Sequence, residues 1–176
     1  MHGTFYPALP GHFIDNLGIA RGLHAFFRNS DIYFMANYAQ TVNVIGAIKT
    51  SRTDAVFDTT GLVLQLYRHR FGSVPVAVSG STGKLDVSAA LTEDGKALTV
   101  GVVNAKPDAD SLRFDIHPAV PAGNGTMWVL TGPDPMSANV PGTPPNVTVT
   151  QSPFSAGAAG LPIPAYSVAI FRFELR

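Results

Sequence analysis

At Gly72 the hydrophobic period of this chain changes from that of a helix to that of a strand. Before it, Phe13, Leu17, Ala20, His24 and Phe27 fall on one face at helical spacing, with Ile14 and Leu23 beside them. The spacing predicts a helix over 12–29, after a Pro10-Gly11 start. Gly18 and Gly22 either weaken that helix or mark close packing against a neighbour. IYFMA, residues 32–36, is a continuous apolar run of the sort found in a parallel strand buried on both faces. TVNVIGAI, 41–48, fits a short helix or a second strand, and periodicity does not separate the two. Asp58 and Thr59 offer an N-cap for a second helix over 60–71, with Val63, Leu66, Tyr67 and Arg70 as its stripe and Gly72 as its stop. Helix, buried strand, polar turn and helix make an α/β fragment.

After Gly72 the period is two. VPVAVS, LDVSAALTE, ALTVGVVN, SLRFDIH, TMWVLTG, NVTVTQS and SVAIFRFEL all read as strands. EDGK, 93–96, is a tight turn with Gly95 at the position that tolerates positive φ. In the last strand Ala169, Phe171, Phe173 and Leu175 should face the core, while Val168, Ile170, Arg172 and Glu174 form a face that turns polar toward the end. Most of the 14 prolines follow Gly72, which places a domain boundary there, 1–72 and 73–176. The richest loop material lies at 132–146 and 155–164. Seven short antiparallel strands joined by Pro/Gly loops argue for a β-sandwich.

Composition removes several functions. The 176 residues carry zero formal net charge and no Cys. Nothing steers the chain to nucleic acid or an anionic membrane, and disulfides and thiolate metal sites are excluded. No apolar run approaches the ~20 residues of a membrane span. The N-terminal stretch lacks a basic-then-apolar signal pattern, which favours the cytoplasm while leaving the compartment open.

Candidate chemistry is sparse. The chain has ten Asp but only two Glu. Glu93 in its turn and Glu174 near the end read as solvated or paired surface groups, so no carboxylate pair for acid/base work is assembled. His2, His12, His24, His69 and His117 show no HxH or HxxxH spacing, so neither metal nor cofactor is expected. His24, on the helix stripe, reads as a satisfied core histidine. The RHR of 68–70 suits a basic last helical turn. GSTGK, 80–84, lacks the full phosphate-loop spacing and reads as a hairpin loop. Asn124-Gly-Thr and Asn146-Val-Thr are sequons in form, with meaning only in a secreted chain. Trp128 is either a core aromatic or a sugar platform.

MANYAQTVN, 35–43, combines an apolar entry with uncharged amides. Asn and Gln here can cap loose backbone groups. At the C-terminal end of a barrel strand they can instead face an active site, where a neutral amide both donates to and accepts from a hydroxyl.

Residues 13–48, FIDNLGIARGLHAFFRNSDIYFMANYAQTVNVIGAI, resemble the last part of the barrel in α-L-arabinofuranosidases of glycoside hydrolase family 51. Ala36, Asn37, Ala39, Gln40, Val42, Asn43 and Val44 match its MANxAQxVNV pattern. YRHRFG, 67–72, resembles its last barrel helix, and the remainder resembles its C-terminal β-sandwich. The resemblance implies an α+β fragment: the last strand and helices of a (β/α)8 barrel, then an antiparallel, jelly-roll-like sandwich. It implies a retaining glycosidase that releases terminal arabinofuranose from hemicellulose oligosaccharides. Its two catalytic Glu motifs do not occur here, so no residue of this chain is assigned a catalytic role. Of the family's active site only Gln40 carries over, as a substrate-binding residue, with Asn37 a weaker neighbour.

Two further expectations follow from the resemblance. The chain alone should not cleave a glycoside. The apolar faces of its two helices should pack on the sandwich, on another copy, or on a separately supplied barrel half, and the sandwich should show an open edge where a strand from the family's N-terminal end pairs. The contrasting possibility is a stand-alone β-sandwich module for sugar binding or subunit contacts, with Trp128 or another exposed aromatic carrying the affinity.

Overall fold

In a computed structural model of the chain, residues 12–119, 121–157 and 160–176 are described. His2 and the Pro10-Gly11 start lie outside them. Helix α1 spans Phe13–Arg28 and α2 spans Thr59–Arg70. Between them lies a hairpin of β1 (Ile48–Thr50) and β2 (Ala55–Phe57). Then come β3 (Val74–Val76), β4 (Asp86–Leu91), β5 (Ala97–Asn104), β6 (Asp110–Leu112), β7 (Pro121–Thr131), β8 (Thr148–Ser155), β9 (Leu161–Ile163) and β10 (Ser167–Leu175). One sheet has the order β3-β4-β5-β10-β7-β8, and β6 pairs with β9 in a small second sheet. Every named pairing is antiparallel.

Strand alternation explains why this sheet is covered on both sides. Ala169, Phe171 and Phe173 of β10 join Val100 and Val102 of β5, under Leu161 and Ile163 of β9. The Phe154 ring meets Phe171 and Phe173 edge-on at centroid distances of 5.5 and 5.0 Å, a favoured aromatic geometry. The opposite residues, Val168 and Ile170 of β10, Val103 of β5 and Leu130 of β7, pack against Phe13, Leu17 and Ala20 of α1 and Val63, Leu66 and Tyr67 of α2. All eight residues of β5 are buried. Its Thr99 stays satisfied: Oγ1 donates to Ala90 O at 2.9 Å and accepts from Gly72 N at 2.8 Å.

Both helices form where the apolar stripe predicts them. Asp15 reaches back to accept from His12 N at 3.0 Å, which closes the first turn of α1. Asp58 Oδ1 accepts from Thr59 N at 2.8 Å and starts α2 one residue earlier than expected. Gly18 and Gly22 do not mark close packing, because a Cβ at either would meet nothing within 4 Å. Gly72 stops α2 without a left-handed cap. A Cβ there would lie 2.3 Å from Leu91 O, so glycine is needed for backbone approach to β4.

The expected strand at 32–36 is absent. Ile32, Tyr33, Phe34 and Met35 are exposed, Phe34 at 96%. Among the described residues no strand lies beside this run, and an apolar run without a ladder has nothing to hold it extended and buried. TVNVIGAI is neither alternative in full: 43–46 form a turn, a bridge links Val42 to Ile48, and β1 begins at Ile48. The strand expected at 111–117 keeps its period-two packing, with Leu112, Phe114 and Ile116 against the core, but only Asp110–Leu112 is paired. The hairpin turn before β5 has Gly95 at φ 68°.

Candidate functional site

Gln40 and Asn37, the two residues the sequence places at a sugar site, sit on one exposed loop. Among the described residues the Gln40 side-chain amide has no protein hydrogen bond, so both its donor and its acceptor are available. Asn37 Nδ2 lies 3.5 Å from Met35 Sδ, a weak contact that leaves its carbonyl open.

The loop backbone is well tethered. Ala47 N donates to Gln40 O at 3.2 Å and Ile48 N to Thr41 O at 3.0 Å. The Tyr38 hydroxyl donates to Ile45 O at 2.7 Å and lies 3.1 Å from Thr60 Oγ1 at the start of α2. Asn43 Oδ1 accepts from Thr50 N at 2.9 Å. Asn43 and Val44 have φ of 55° and 47°, a region that only Asn among these two tolerates readily. Beneath the turn lies a buried ion pair, Lys49 Nζ to Asp58 Oδ2 at 3.1 Å, and the same ammonium donates to Val44 O at 2.6 Å.

A second polar cluster joins the helices to the sheet. His24 is fully buried, with Nδ1 2.6 Å from Asp86 Oδ1 and Nε2 2.5 Å from the Tyr67 hydroxyl. Arg28 Nη1 donates to Asp86 Oδ1 at 2.9 Å, and Arg21 lies 3.8 Å from Oδ2. Burial lowers the His24 pKa against the opposing pull of Asp86. A neutral ring donating from Nδ1 and accepting from Tyr67 fits both contacts. Burial also raises the Tyr67 phenol. Partial burial works to raise Asp86, but hydrogen bonds from His24 and Arg28, then their charges, outweigh it and hold the carboxyl below the ordinary range. The Tyr-His-Asp line resembles a nucleophile relay in connectivity, yet Tyr67 is buried among core side chains, only 5% exposed. Its work is structural. Gly101 makes room for it, because a Cβ there would lie 2.7 Å from His24 Nε2.

The other candidates fall into place as surface or core. Glu174 pairs with Arg172 at 2.6 Å, and Glu93 is exposed. His117 is exposed beside Asp115, and His12 Nδ1 lies 3.0 Å from Met136 O. Trp128 is no platform: it is buried, donates to Gln151 Oε1 at 2.8 Å, and carries the Arg70 guanidinium 4.8 Å above its ring. Among the described residues no three His, Asp or Glu cluster as metal ligands, and no helix is long and apolar enough to cross a membrane. The Lys49–Asp58 pair escaped the sequence reading, since a single Lys in AIKTS carries no signal of burial.

A family model described as the alpha-L-arabinofuranosidase C-terminal domain matches residues 10–167. The chain belongs to this family. Among curated relatives of this C-terminal domain, probable alpha-L-arabinofuranosidase C of Aspergillus niger is 31% identical over 92% of this chain and 34% of its own length. Alpha-L-arabinofuranosidase C of Emericella nidulans is 30% identical over 73% of this chain and 28% of its own. The chain thus spans about a third of the length of the curated relatives it matches. Alpha-L-arabinofuranosidase from Thermotoga maritima, solved as an arabinose complex, superposes with TM-score 0.83 at 24% identity, over 96% of this chain and 39% of that one. A family 51 enzyme from Thermotoga petrophila superposes with TM-score 0.83 at 23% identity, over 95% of this chain. The family match begins before α1 and ends where β10 starts, and these solved structures share the fold of nearly the whole chain.

Proposed function

We propose that this chain is the C-terminal part of a retaining α-L-arabinofuranosidase. In this reading residues 1–72 end a (β/α)8 barrel and 73–176 form the jelly-roll-like sandwich behind it. The observation that carries the proposal is the exposed Gln40 amide, without a protein hydrogen bond among the described residues, held on a tethered loop in a chain of this family. Arabinofuranose is a neutral ring bearing hydroxyls that both donate and accept. A primary amide matches such a group without adding charge beside a catalytic carboxylate. Gln40 would hold a sugar hydroxyl, and Asn37 would support it from three residues away.

A retaining glycosidase needs two carboxyl groups roughly 5–5.5 Å apart, one as acid/base and one as nucleophile. Glu93 is a solvated turn residue and Glu174 is tied to Arg172. In this reading the two catalytic Glu belong to the preceding part of the barrel, which also supplies the cover for Ile32, Phe34 and Met35. A stand-alone sugar-binding module is disfavoured because the family match and the curated relatives align this chain with the C-terminal third of longer proteins, although Phe34 remains an exposed aromatic.

The test is Gln40→Ala in the complete enzyme. Loss of one hydrogen bond made more strongly in the transition state should lower kcat/KM on an aryl arabinofuranoside about 10- to 100-fold. An unchanged kcat/KM rules out the role given to Gln40.

A further inference from the structure

The structure assigns Lys49 as a positioning residue for the Gln40 loop, one that ties the turn at Val44 to the first turn of α2. What the loop is for rests on the sugar-site reading above; how it is held does not.

Three observations carry the inference. First, the Lys49 side chain is only 5% exposed. A buried ammonium is unfavourable unless paired and hydrogen-bonded, and its partners come from two different elements. Val44 O accepts from it at 2.6 Å, and Asp58 Oδ2 lies 3.1 Å away. Second, Val44 is a β-branched residue at φ 47°. Such a conformation persists only when its surroundings hold it, and the Lys49 bond to its carbonyl is one of those holds. Third, the bonds that fix Gln40 leave from the two residues that directly follow that turn, through Ala47 N to Gln40 O and Ile48 N to Thr41 O.

Asp58 completes the link. One carboxylate oxygen starts α2 by accepting from Thr59 N, and the other holds Lys49. Asp58 N also donates to Ala47 O at 2.9 Å. That carbonyl lies so close to α2 that a Cβ at Gly61 would stand 2.2 Å from it. Turn, ammonium, carboxylate and helix start therefore form one bridge. Lys49 points into this bridge, so it acts on a bound sugar only through the loop.

The experiment compares the chain with K49M and with K49M/D58N. Amide hydrogen exchange at Ala47 and Ile48 reports the loop, exchange along β5 and β10 reports the body, and the thermal midpoint reports overall stability. In both variants Ala47 and Ile48 should exchange about tenfold faster, because Val44 O has lost its donor, while β5 and β10 stay as they were. K49M should also lower the midpoint by stranding a buried carboxylate. K49M/D58N should recover much of that loss with no recovery of loop protection. Unchanged exchange at Ala47 and Ile48 overturns the proposal. So does recovery of protection together with the midpoint in the double variant, which marks a purely structural pair. Global unfolding of both variants overturns it too, since the pair would then support the whole fold. A failed Gln40→Ala test leaves these outcomes intact, so the two readings fail separately.

Discussion

At the scale of single residues, His24 and Asp86 make the fold sensitive to acid. His24 titrates below its ordinary 6.5 in the folded chain. Between the two values the unfolded chain binds a proton that the folded chain does not, so stability is full above about pH 6.5 and falls as pH drops. Asp86 is also held below its ordinary 3.8. Its contribution is present above about pH 4 and is lost only at lower pH. Urea unfolding followed from pH 7 to pH 5 should therefore show a falling midpoint. The slope is bounded at about 1.4 kcal/mol per pH unit for one proton. H24Q should be less stable at pH 7 but much flatter across that window. A wild-type profile that is level from pH 7 to pH 5 contradicts the account. The burial of His24 was legible in its place on the helical stripe. Asp86 as its partner was not, because it arrives from 62 residues away through tertiary packing. The same holds for Lys49, whose neighbours in sequence say nothing about the carboxylate it meets.

At the scale of elements, the glycines divide into two classes that sequence alone does not separate. On α1 a Cβ at Gly18 or Gly22 meets open space at ordinary helical φ. G18A and G22A should each raise the thermal midpoint, by up to about 1 kcal/mol of stability. At Gly72 and Gly101 a Cβ would lie 2.3 Å from Leu91 O and 2.7 Å from His24 Nε2. G72A and G101A should each cost about 1–3 kcal/mol through forced displacement of packed neighbours. Equal effects at all four positions contradict this packing. Period two marked β5 at its full length and the alternation along β10, because each strand presents two faces to two different layers. It failed for β1, β2 and β9, each three residues long, too short for a period to show. It failed in the opposite sense at 32–36. There the apolar composition of a buried strand is present and its pairing partners are not.

At the scale of the whole molecule, the chain has a finished side and an open one. The central sheet is covered by helices on one face and by β6 and β9 on the other. By contrast Ile32, Tyr33, Phe34, Met35, Val42, Val44 and Ile45 are all exposed around the loop that bears Gln40. In the proposed reading this apolar edge beside the exposed Gln40 amide is covered by another part of the protein. On the proposed reading Gln40 contributes recognition, and the chemistry belongs to carboxylates outside this chain. The direct measurement is hydrolysis of an aryl α-L-arabinofuranoside by the purified 176-residue chain. The predicted result is release of the aryl group at the rate of buffer alone. Saturable turnover that disappears when an acid of this chain, such as Glu93 or Glu174, is replaced contradicts the account at its centre.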